Sequence, residues 1–478
     1  MNANGPLMFD QIITDIANYV EDYKIDSDEA MVTAQYCLLD AMGCGILALN
    51  EPELGRHIGP VVPGANLPNG SRVPGTEFTL DPVQAAYNIG AMVRWYDYND
   101  TWLAAEWGHP SDNFGAIIAC ADYANRNYDT KFTVFDVLTA AVKAYEIQGI
   151  LALENSFNRI GLDHVILVKI ASCALATQLL GGNKKTIINA LSNAWIDGGA
   201  LRTYRHAPNV GWRKSWAAAD ATSRAVRLAL MANSGEMGYP GALSTAQWGF
   251  YDVLFGGDRF KVSRPYGSYV MENILFKVAV PVEFHAQTAV ECAFKLHPRV
   301  KDNLDNIDRI EIKTHSAAMR IINKSGLLRN HADRDHSLQY AVAIGLIYGE
   351  LEVRHFSDKI AENPDIEMLR QKMTVEENAQ FSKDYLDPKK RAIANSITLH
   401  LKDGASEQLS IAYPVGHRRR RKEALPLLIN KFENNLNTYF TKQKTEELRN
   451  LMTDYNRVAS MDISTFMEHW QSTYPSRP

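Results

Sequence analysis

The sequence predicts a mainly α protein with an inserted α+β domain, and three observations predict it. Apolar residues recur at helical spacing through most of residues 8–232 and again after Pro414. Alternating, strand-like patterns are confined to the section between these stretches, and 478 residues are too many for one ordinary core. We therefore expect a large all-helical domain over residues 1–270 and 415–478, with a smaller α+β domain over residues 271–414.

The first part of the chain alternates helices with one irregular segment. Residues 8–50 have apolar residues at helical spacing and a capping signal, DSD. Prolines and glycines crowd residues 59–82, which predicts a loop or a short irregular β element. Residues 83–94 resume a helix, and Ser111 or Asp112 is predicted to cap the next one, NFGAIIACADYANR.

The remaining elements follow the same logic. Long helical patterns such as TVFDVLTAAVKAYEIQGILAL and SWAAADATSRAVRLALMA are rich in alanine, which allows close contact between helices. NIDRIEIKTH predicts a strand, and SITLHLKDGASEQLSIAYPV predicts a hairpin around Asp403-Gly404. HSLQYAVAIGLIYGEL and SDKIAENPDIEMLRQKM, between them, are helical patterns. LPLLINKFENNLNTYF, KTEELRNLMTDY and DISTFMEHW predict helices at the end of the chain.

The composition limits the class of protein. Hydrophobic and charged contents of 46% and 22% are those of a soluble globular protein, and a net charge of −5 argues against a general nucleic-acid binder. The five cysteines are scattered and form no C-x-x-C pair, so we expect buried free thiols in a reducing compartment. Because we find neither a targeting pattern nor an apolar run of ~18 residues, we expect a cytoplasmic protein without a membrane span.

Residues 94–113, RWYDYNDTWLAAEWGHPSDN, hold four carboxylates, one histidine and three of the eight tryptophans. Aromatic walls around acids and a histidine make a water-poor environment that shifts pKa values toward neutrality. Such groups can move protons without a cofactor. Asp97 and Thr101 are four residues apart and would share a helix face, with His109 around the following loop. The alternative is a helix end and a capped turn whose tryptophans simply pack.

This segment resembles the signature of the MmgE/PrpD family, in the form found in its dehydratase branch. VPGTEFTLDPVQAAYNIGAMVRW precedes it, and further family motifs follow in the family's order: DGGALRTYRHAPNVGWRKSWAAADATSRAVRLALMA, GEMGYPGAL, EFHAQTAVECA, HSLQYAVAIGLIYGE and PVGHRRRRKEALPLL. The resemblance covers nearly the whole chain. It implies the two-domain arrangement described above, with the α+β domain as a lid over the site, and a homodimer.

The resemblance also implies catalytic residues. In the family's decarboxylase branch, the residues that match Asp97, Thr101 and His109 line the site, and the longer Thr-to-His spacing with EWG between them is the dehydratase version. His285, in PVEFHAQTAVECA, matches a family site histidine at the expected domain junction. His164, in GLDHVILVK, is a similar but weaker candidate, because a histidine before an apolar helix is often structural.

Cations are concentrated in RTYRHAPNVGWRK, residues 202–214. Arginine forks suit carboxylates, so this turn could supply the local positive charge that an acidic chain needs to bind an anion. A solvated basic turn is the alternative. The predicted substrate-binding residues are His164, Arg202, Tyr204, Arg205 and His206. Thr203 stands where the decarboxylase branch has a lysine, so no catalytic lysine can be carried over from that branch.

Two further features have structural alternatives. His336 and Ser337 open a predicted helix, and capping is the favoured interpretation for both. The basic run GHRRRRK, residues 416–422, either helps to gather an anionic substrate or is a solvated, salt-bridged surface run.

The resemblance implies a cofactor-free, metal-free carbon–oxygen lyase that dehydrates 2-methylcitrate to 2-methyl-cis-aconitate in the methylcitrate cycle of propionate breakdown, with citrate as a poorer substrate. Its expected partner is a small anionic tricarboxylate, and we expect neither nucleic acid nor membrane as a partner. Asp97 or His109 is the base and the other the acid, Thr101 holds the hydroxyl, Arg202 and Arg205 bind carboxylates, and His285 assists.

Other interpretations stay open at this point. A cis-aconitate decarboxylase or an iminodisuccinate epimerase is the alternative within the family, and Thr203 argues against the decarboxylase. A metal-dependent hydratase is weakened by the missing cysteine spacing. A nonenzymatic helical protein that contacts nucleic acid through GHRRRRK would show salt-dependent binding and no turnover.

Overall fold

A computed structural model describes residues 8–206 and 208–472, and every structural statement below concerns those residues. The prediction of a mainly α protein with a small α/β part is confirmed. The helices before the junction are α1 Gln11–Asp22, α2 Asp28–Ala48, α3 Pro52–Gly55, α4 Pro82–Arg94, α5 Phe114–Asn127, α6 Val134–Glu154, α7 Val165–Leu179, α8 Lys184–Ile196, α9 Arg213–Asn233, α10 Phe250–Leu254 and α11 Tyr269–Glu272.

The remaining helices are α12 Gln287–Val300, α13 Ser316–Ile321, α14 His331–Arg334, α15 Leu338–Tyr348, α16 Asp358–Ala361, α17 Pro364–Gln371, α18 Ala379–Leu386, α19 Arg421–Asn437, α20 Lys442–Thr453, α21 Tyr455–Ala459 and α22 Ile463–Glu468. The strands are β1 Ser71–Arg72, β2 Thr79–Leu80, β3 Trp102–Leu103, β4 Trp107–Gly108, β5 Ile307–Thr314, β6 Met373–Glu377, β7 Asn395–Leu401 and β8 Ser406–Ile411.

Close helix contacts form the centre of the helical part. α4 packs against α5 and α9, and a Cβ on Gly90 would lie 3.0 Å from the Cα of Ala219. Small residues on these faces allow that approach. Ser27 caps α2, as predicted, because its hydroxyl accepts the N–H of Ala30. α2 is long and apolar enough to cross a membrane, but 83% of its most apolar 18-residue stretch is buried inside the protein, as in a core helix.

The α/β part is built around one mixed sheet with the order β6-β5-β7-β8. The predicted strand β5 and the predicted hairpin β7–β8 are confirmed, and Gly404 takes the left-handed conformation (φ 88°) that the hairpin turn requires. Strand β6 was not predicted. It pairs parallel to β5 at the sheet edge, where largely polar, exposed residues give little apolar alternation to detect.

Two large apolar cores hold most of these elements, beside two smaller clusters. One contains buried side chains from Ile13 to Val278 and again from Ala424 to Trp470, and the other contains side chains from Val280 to Leu399. The helices after the sheet therefore pack on the N-terminal helices. The predicted domain boundaries remain predictions, but the change of core at Val278–Val280 places the motifs around His109 and His285 near one junction.

One predicted cap is wrong. The N-cap position of α5 is Asn113, and Ser111 and Asp112 lie in a short 3-10 turn before it. Their side chains bond instead to residues earlier in the chain: the Ser111 hydroxyl donates to Asp100, and Asp112 accepts from Asn99. These residues therefore order the site segment rather than the helix that follows.

Candidate active site

Helix α4 ends before the acid-rich segment, so the predicted shared helix face of Asp97 and Thr101 is wrong. Asp97 has a left-handed backbone (φ 55°), a conformation that is strained for a residue with a side chain. Thr101 exchanges two backbone hydrogen bonds with Leu275, of 2.8 and 3.1 Å. These bonds fix the segment against the stretch of chain just before the second core. The chain thus turns at Asp97, and a β bridge rather than a helix sets the direction of Thr101.

Asp97 lies between two cations. Arg94 and Lys277 both form ion pairs with its carboxylate, the Lys277 contact measuring 2.5 Å to Oδ2, and Lys277 also donates to the Asp97 carbonyl. Asp97 is 2% exposed and Lys277 is fully buried. Burial alone would raise the pKa of Asp97, but the charges of Arg94 and Lys277 outweigh it and hold that pKa well below its usual range. Asp97 is therefore a carboxylate at neutral pH.

His109 joins Asp97 and Thr101, as predicted. Its Nδ1 lies 2.7 Å from the carbonyl oxygen of Asp100 and 3.4 Å from the Thr101 hydroxyl. Its Nε2 lies 3.3 Å from Asp97 Oδ1. Burial and then the charge of Arg94 hold the pKa of His109 well below its usual range, so the ring is neutral. Because a carbonyl oxygen only accepts, Nδ1 carries the proton and Nε2 keeps its lone pair.

Three acids of the same segment have raised pKa values. Burial raises the pKa of Asp100 to about 6, and those of Glu106 and Asp112 to about 7. Asp100 accepts from the Tyr145 hydroxyl at 2.6 Å, and Glu106 accepts from the backbone and side-chain amides of Asn158. The tryptophan-rich segment thus does move acids toward neutrality, as its composition predicts.

The raised pKa of Glu106 makes a prediction about stability. The Glu106 carboxyl has a pKa of about 7 in the folded protein and an ordinary, lower pKa in the unfolded chain. Between these two pKa values the unfolded chain loses the proton first, so the stability that Glu106 contributes is lost as the pH rises from the lower pKa through about 7. We expect the melting temperature of the wild type to fall more between about pH 5 and about pH 8 than that of Glu106→Gln, whose amide oxygen can still accept from Asn158. Thermal unfolding by circular dichroism measures both, with the exposed Glu446→Gln as control. Parallel pH curves for wild type and Glu106→Gln would contradict the assignment.

His164 lies directly behind His109, with ring centroids 5.9 Å apart. Gly108 permits this, because a Cβ there would lie 3.1 Å from the His164 ring. Burial holds the pKa of His164 well below its usual range, despite Asp163 with its Oδ1 3.3 Å from Nδ1. The structure thus brings His164 to the cluster, as a neutral ring that supports His109.

Arg202 and Arg205, the arginines predicted to bind substrate carboxylates, both contact Asp163, which was not among the predicted site residues. Arg205 donates from Nε and Nη2 to both carboxylate oxygens of Asp163. Arg202 contacts the same carboxylate only at 3.4 Å and lies over the Trp107 ring at 5.4 Å. The fork of Arg205 is therefore occupied, whereas Arg202 retains capacity to bind another carboxylate.

The structure does not bring Tyr204 and His206 into this cluster. Tyr204 packs its buried ring against Val165 and Val168, and the guanidiniums of Arg205 and Arg213 lie over it. His206 is exposed. Because a 3-10 turn has three residues per turn, Arg202 at its N-cap and Arg205 at its end lie on the same side, where both reach Asp163.

His285 occupies a neighbouring position rather than direct contact with Asp97. Its ring lies 5.9 Å from that of Trp107, edge to face. Nδ1 is 2.7 Å from the Glu283 carboxylate and Nε2 is 3.1 Å from the Tyr385 hydroxyl. Both ring nitrogens therefore have partners, and His285 must exchange Tyr385 for substrate if it is to assist.

A second buried ion pair crosses the junction. Lys214, at the start of α9, donates to both oxygens of Asp335 at 2.7 and 2.6 Å and lies 3.2 Å from His336 Nδ1. The predicted capping is confirmed for Ser337, whose hydroxyl accepts from Tyr340, but it is wrong for His336. His336 bonds to Asp335 because its ring faces Lys214 across the junction.

Sequence reasoning missed several residues of the site. Lys277 had a usable signal, since a lysine inside the apolar run FKVAV must find a buried charge partner. Asp163 and Asp335 each precede a histidine in the sequence, and each lies beside that histidine in the structure. Arg320, which lies 5.5 Å from Trp107 on the opposite domain from Arg202, gave no signal, because only the fold brings it there.

The chain is similar to known proteins over nearly its whole length. The MmgE/PrpD N-terminal and C-terminal domain models match residues 14–263 and 280–457. The chain is 54% identical over 468 residues to the 2-methylcitrate dehydratase of Escherichia coli (strain K12), which covers 96% of this chain and 97% of that protein. It is 53% identical to the 2-methylcitrate dehydratase of Cupriavidus necator, over 96% of both chains. The mitochondrial 2-methylcitrate dehydratase of Yarrowia lipolytica is 52% identical, over 98% of this chain and 91% of that protein. The chain therefore belongs to the MmgE/PrpD family.

Proposed function

We propose that this protein is a hydro-lyase that converts 2-methylcitrate to 2-methyl-cis-aconitate. The observation that carries the proposal is the buried group formed by Asp97, His109 and Lys277, in which a neutral imidazole lies beside a carboxylate held by two cations. The full-length similarity to several 2-methylcitrate dehydratases supports the choice of substrate.

We assign His109 as the base. Dehydration begins when a proton leaves the carbon next to a carboxylate, and a neutral imidazole with a free Nε2 can accept it. Asp97, 3.3 Å from Nε2, then stabilises the imidazolium that forms. Since the pKa of Asp97 is far below its usual range, Asp97 cannot serve as the acid at neutral pH. From the sequence we expected Asp97 and His109 to be base and acid in one order or the other; the electrostatics favour His109 as the base and leave the acid to another group.

The acid must protonate the departing hydroxyl. Lys214 is buried, and burial lowers its pKa even though Asp335 opposes the shift, which makes its ammonium a better proton donor than an exposed lysine. The charge of Asp97 also raises the pKa of Lys214, so the two groups are within electrostatic reach of each other. We therefore assign Lys214 as the acid and Thr101, beside His109, as the residue that positions the hydroxyl.

The substrate's carboxylates need cations. Arg94 and Lys277 bring two positive charges to Asp97, and the other carboxyl near Arg94, Asp112 at 3.9 Å, has its pKa raised by burial to about 7; the resulting positive excess attracts an anion and stabilises enolate-like charge. Arg202 and Arg320, one from each side of the junction, flank Trp107 and complete the set. Because the catalytic side chains are almost fully withdrawn from solvent, the α+β domain must move as a lid for substrate to enter.

Three further expectations belong to this proposal: the protein needs neither metal nor other cofactor, it is a homodimer, and it acts in the cytoplasm. Full activity after exhaustive chelation would support the first. Sedimentation at several concentrations would test the second. Substrate gathering by the basic run is not part of the proposal, since Arg420 pairs with Glu291 and Glu423.

Purified protein should form an alkene product from 2-methylcitrate, seen as ultraviolet absorbance and confirmed by mass spectrometry. Citrate should react more slowly, because citrate lacks the methyl group of 2-methylcitrate and loses the contacts that this group makes in the site. Parallel assays with cis-aconitate and iminodisuccinate test the other activities of the family. Release of carbon dioxide from cis-aconitate without any alkene from 2-methylcitrate would overturn the assignment.

A further inference from the structure

A cavity outside the candidate active site lies beside the two segments that connect the domains. It has a volume of about 270 Å³. Its wall combines three aromatic rings with residues of the second domain and of the basic run: Trp102, Leu103, Tyr269, Asn273, Leu275, Tyr385, Pro388, Lys389, Lys390, Arg391, Ile393, His417, Arg418 and Arg419. Neither His109 nor Asp97 contributes to it. A cavity of this size suits a small molecule rather than a peptide.

The wall of this cavity is cationic. It contains five lysines and arginines and no aspartate or glutamate, in a chain whose net charge is −5. Lys390 and Arg418 pair with Asp384 and Glu29, outside the wall. The other three cations pair with no carboxylate of the described chain.

Two of those three cations, Arg391 and Arg419, are held in place by neutral groups. Arg391 donates to the Tyr269 hydroxyl at 2.9 Å and to the Leu103 carbonyl at 3.1 Å, and its guanidinium lies over the Trp102 ring. Arg419 donates to the carbonyl of Lys389 at 2.8 Å. Backbone carbonyls and rings orient these two guanidiniums and leave them without a carboxylate partner in the described chain, which suits them to bind an anion.

The backbone adds a second indication. Arg391 has a left-handed conformation (φ 43°), which is strained for arginine and which persists only where the surroundings enforce it. The strain is consistent with a structure that aims the Arg391 guanidinium at the cavity. Strained residues of this kind concentrate at ligand sites.

The cavity also touches both domain connections. Leu275 lies on the first connection and is bonded to the backbone of Thr101. His417 and Arg419 lie on the second. Tyr385, from the α+β domain, lines the cavity and has its hydroxyl 3.1 Å from His285 Nε2. A ligand in the cavity would therefore contact both connections and a direct neighbour of the candidate active site.

We propose that this cavity is a second anion site, which binds a small polyanion with carboxylate or phosphate groups through Lys389, Arg391 and Arg419. Two sources supply such an anion, a polycarboxylate metabolite and free phosphate, and both present the same negatively charged oxygens to the site. Binding bridges the two domain connections and holds them together. The proposal does not rest on the dehydratase activity proposed above.

Isothermal titration calorimetry on the full-length protein tests the proposal with two probes, tricarballylate and inorganic phosphate. The test variant is Lys389→Gln/Arg419→Gln. The matched control is Lys359→Gln/Lys383→Gln, which removes the same charge from exposed positions of the α+β domain that do not line the cavity. Circular dichroism establishes that both variants fold.

We expect at least one probe to bind the wild type and the control equally, and the cavity variant at least about tenfold more weakly. Tricarballylate can also enter the active site, so its isotherm should lose one of two binding events in the cavity variant. A phosphate-only effect would identify a phosphate-bearing ligand, and a tricarballylate-only effect a polycarboxylate. The proposal fails if both probes bind the cavity variant as they bind the control. A rise in melting temperature with the binding probe, lost only in the cavity variant, provides a second readout.

Discussion

Replacing His109 by asparagine is expected to lower kcat by about two to four orders of magnitude, the contribution of one positioned acid or base. The asparagine amide can still donate to the Asp100 carbonyl, as Nδ1 does at 2.7 Å. It has nothing at the position of Nε2, so the proton acceptor beside Asp97 is lost. Steady-state kinetics on 2-methylcitrate measure kcat and KM separately, and KM should change much less than kcat.

The control for this variant is His469→Asn, which changes a partly exposed histidine whose Nδ1 pairs with Glu447 far from the junction. It should leave both kcat and KM at wild-type values. If His109→Asn kept kcat within about tenfold of the wild type while the protein remained folded, the base would have to be another group.

The fold was largely predictable because its signals are local. Helices such as α6 and α7 are long runs of apolar residues at helical spacing, and the β7–β8 hairpin surrounds an Asp-Gly turn. The predictions failed where a local signal was missing or was overridden by a distant contact. Strand β6 at the sheet edge has no alternation, and the predicted helix face of Asp97 and Thr101 was lost because a long-range bridge to Leu275 determines the path of that segment.

The site divides along the same line. Asp97, Thr101 and His109 are close in sequence, and the predicted group forms. The partners that set its electrostatics come from distant segments: Lys277 lies 180 residues from Asp97, and Lys214 pairs with a carboxylate 121 residues away. Periodicity and spacing carry no information on such pairs. The family resemblance gave His164 and His285, but it did not indicate that the fork of Arg205 is bound by Asp163.

Lys277→Met should cause the largest loss of stability among substitutions near the site. Lys277 is fully buried, and its ammonium lies 2.5 Å from the Asp97 carboxylate. Removing one partner of a buried ion pair leaves an uncompensated charge and typically costs about 3–5 kcal/mol, and Arg94 can offset only part of it. We expect a lower midpoint of urea unfolding together with loss of activity, since the charge that holds Asp97 ionised is also removed.

A double-mutant cycle separates this pair from a general packing effect. Asp97→Asn alone leaves Arg94 and Lys277 facing each other without a carboxylate, so it should also destabilise. The double variant Asp97→Asn/Lys277→Met removes opposite charges together and should cost less than the sum of the single variants, by about 1–3 kcal/mol. The exposed pair Lys184–Asp22 has a similar contact of 2.6 Å, yet Lys184→Met and Asp22→Asn should each change stability by less than about 1 kcal/mol and should couple weakly. Additive effects at Asp97 and Lys277, within about 0.5 kcal/mol, would mean that the two groups do not depend on each other. The electrostatic basis for a neutral His109 beside an ionised Asp97 would then be lost as well.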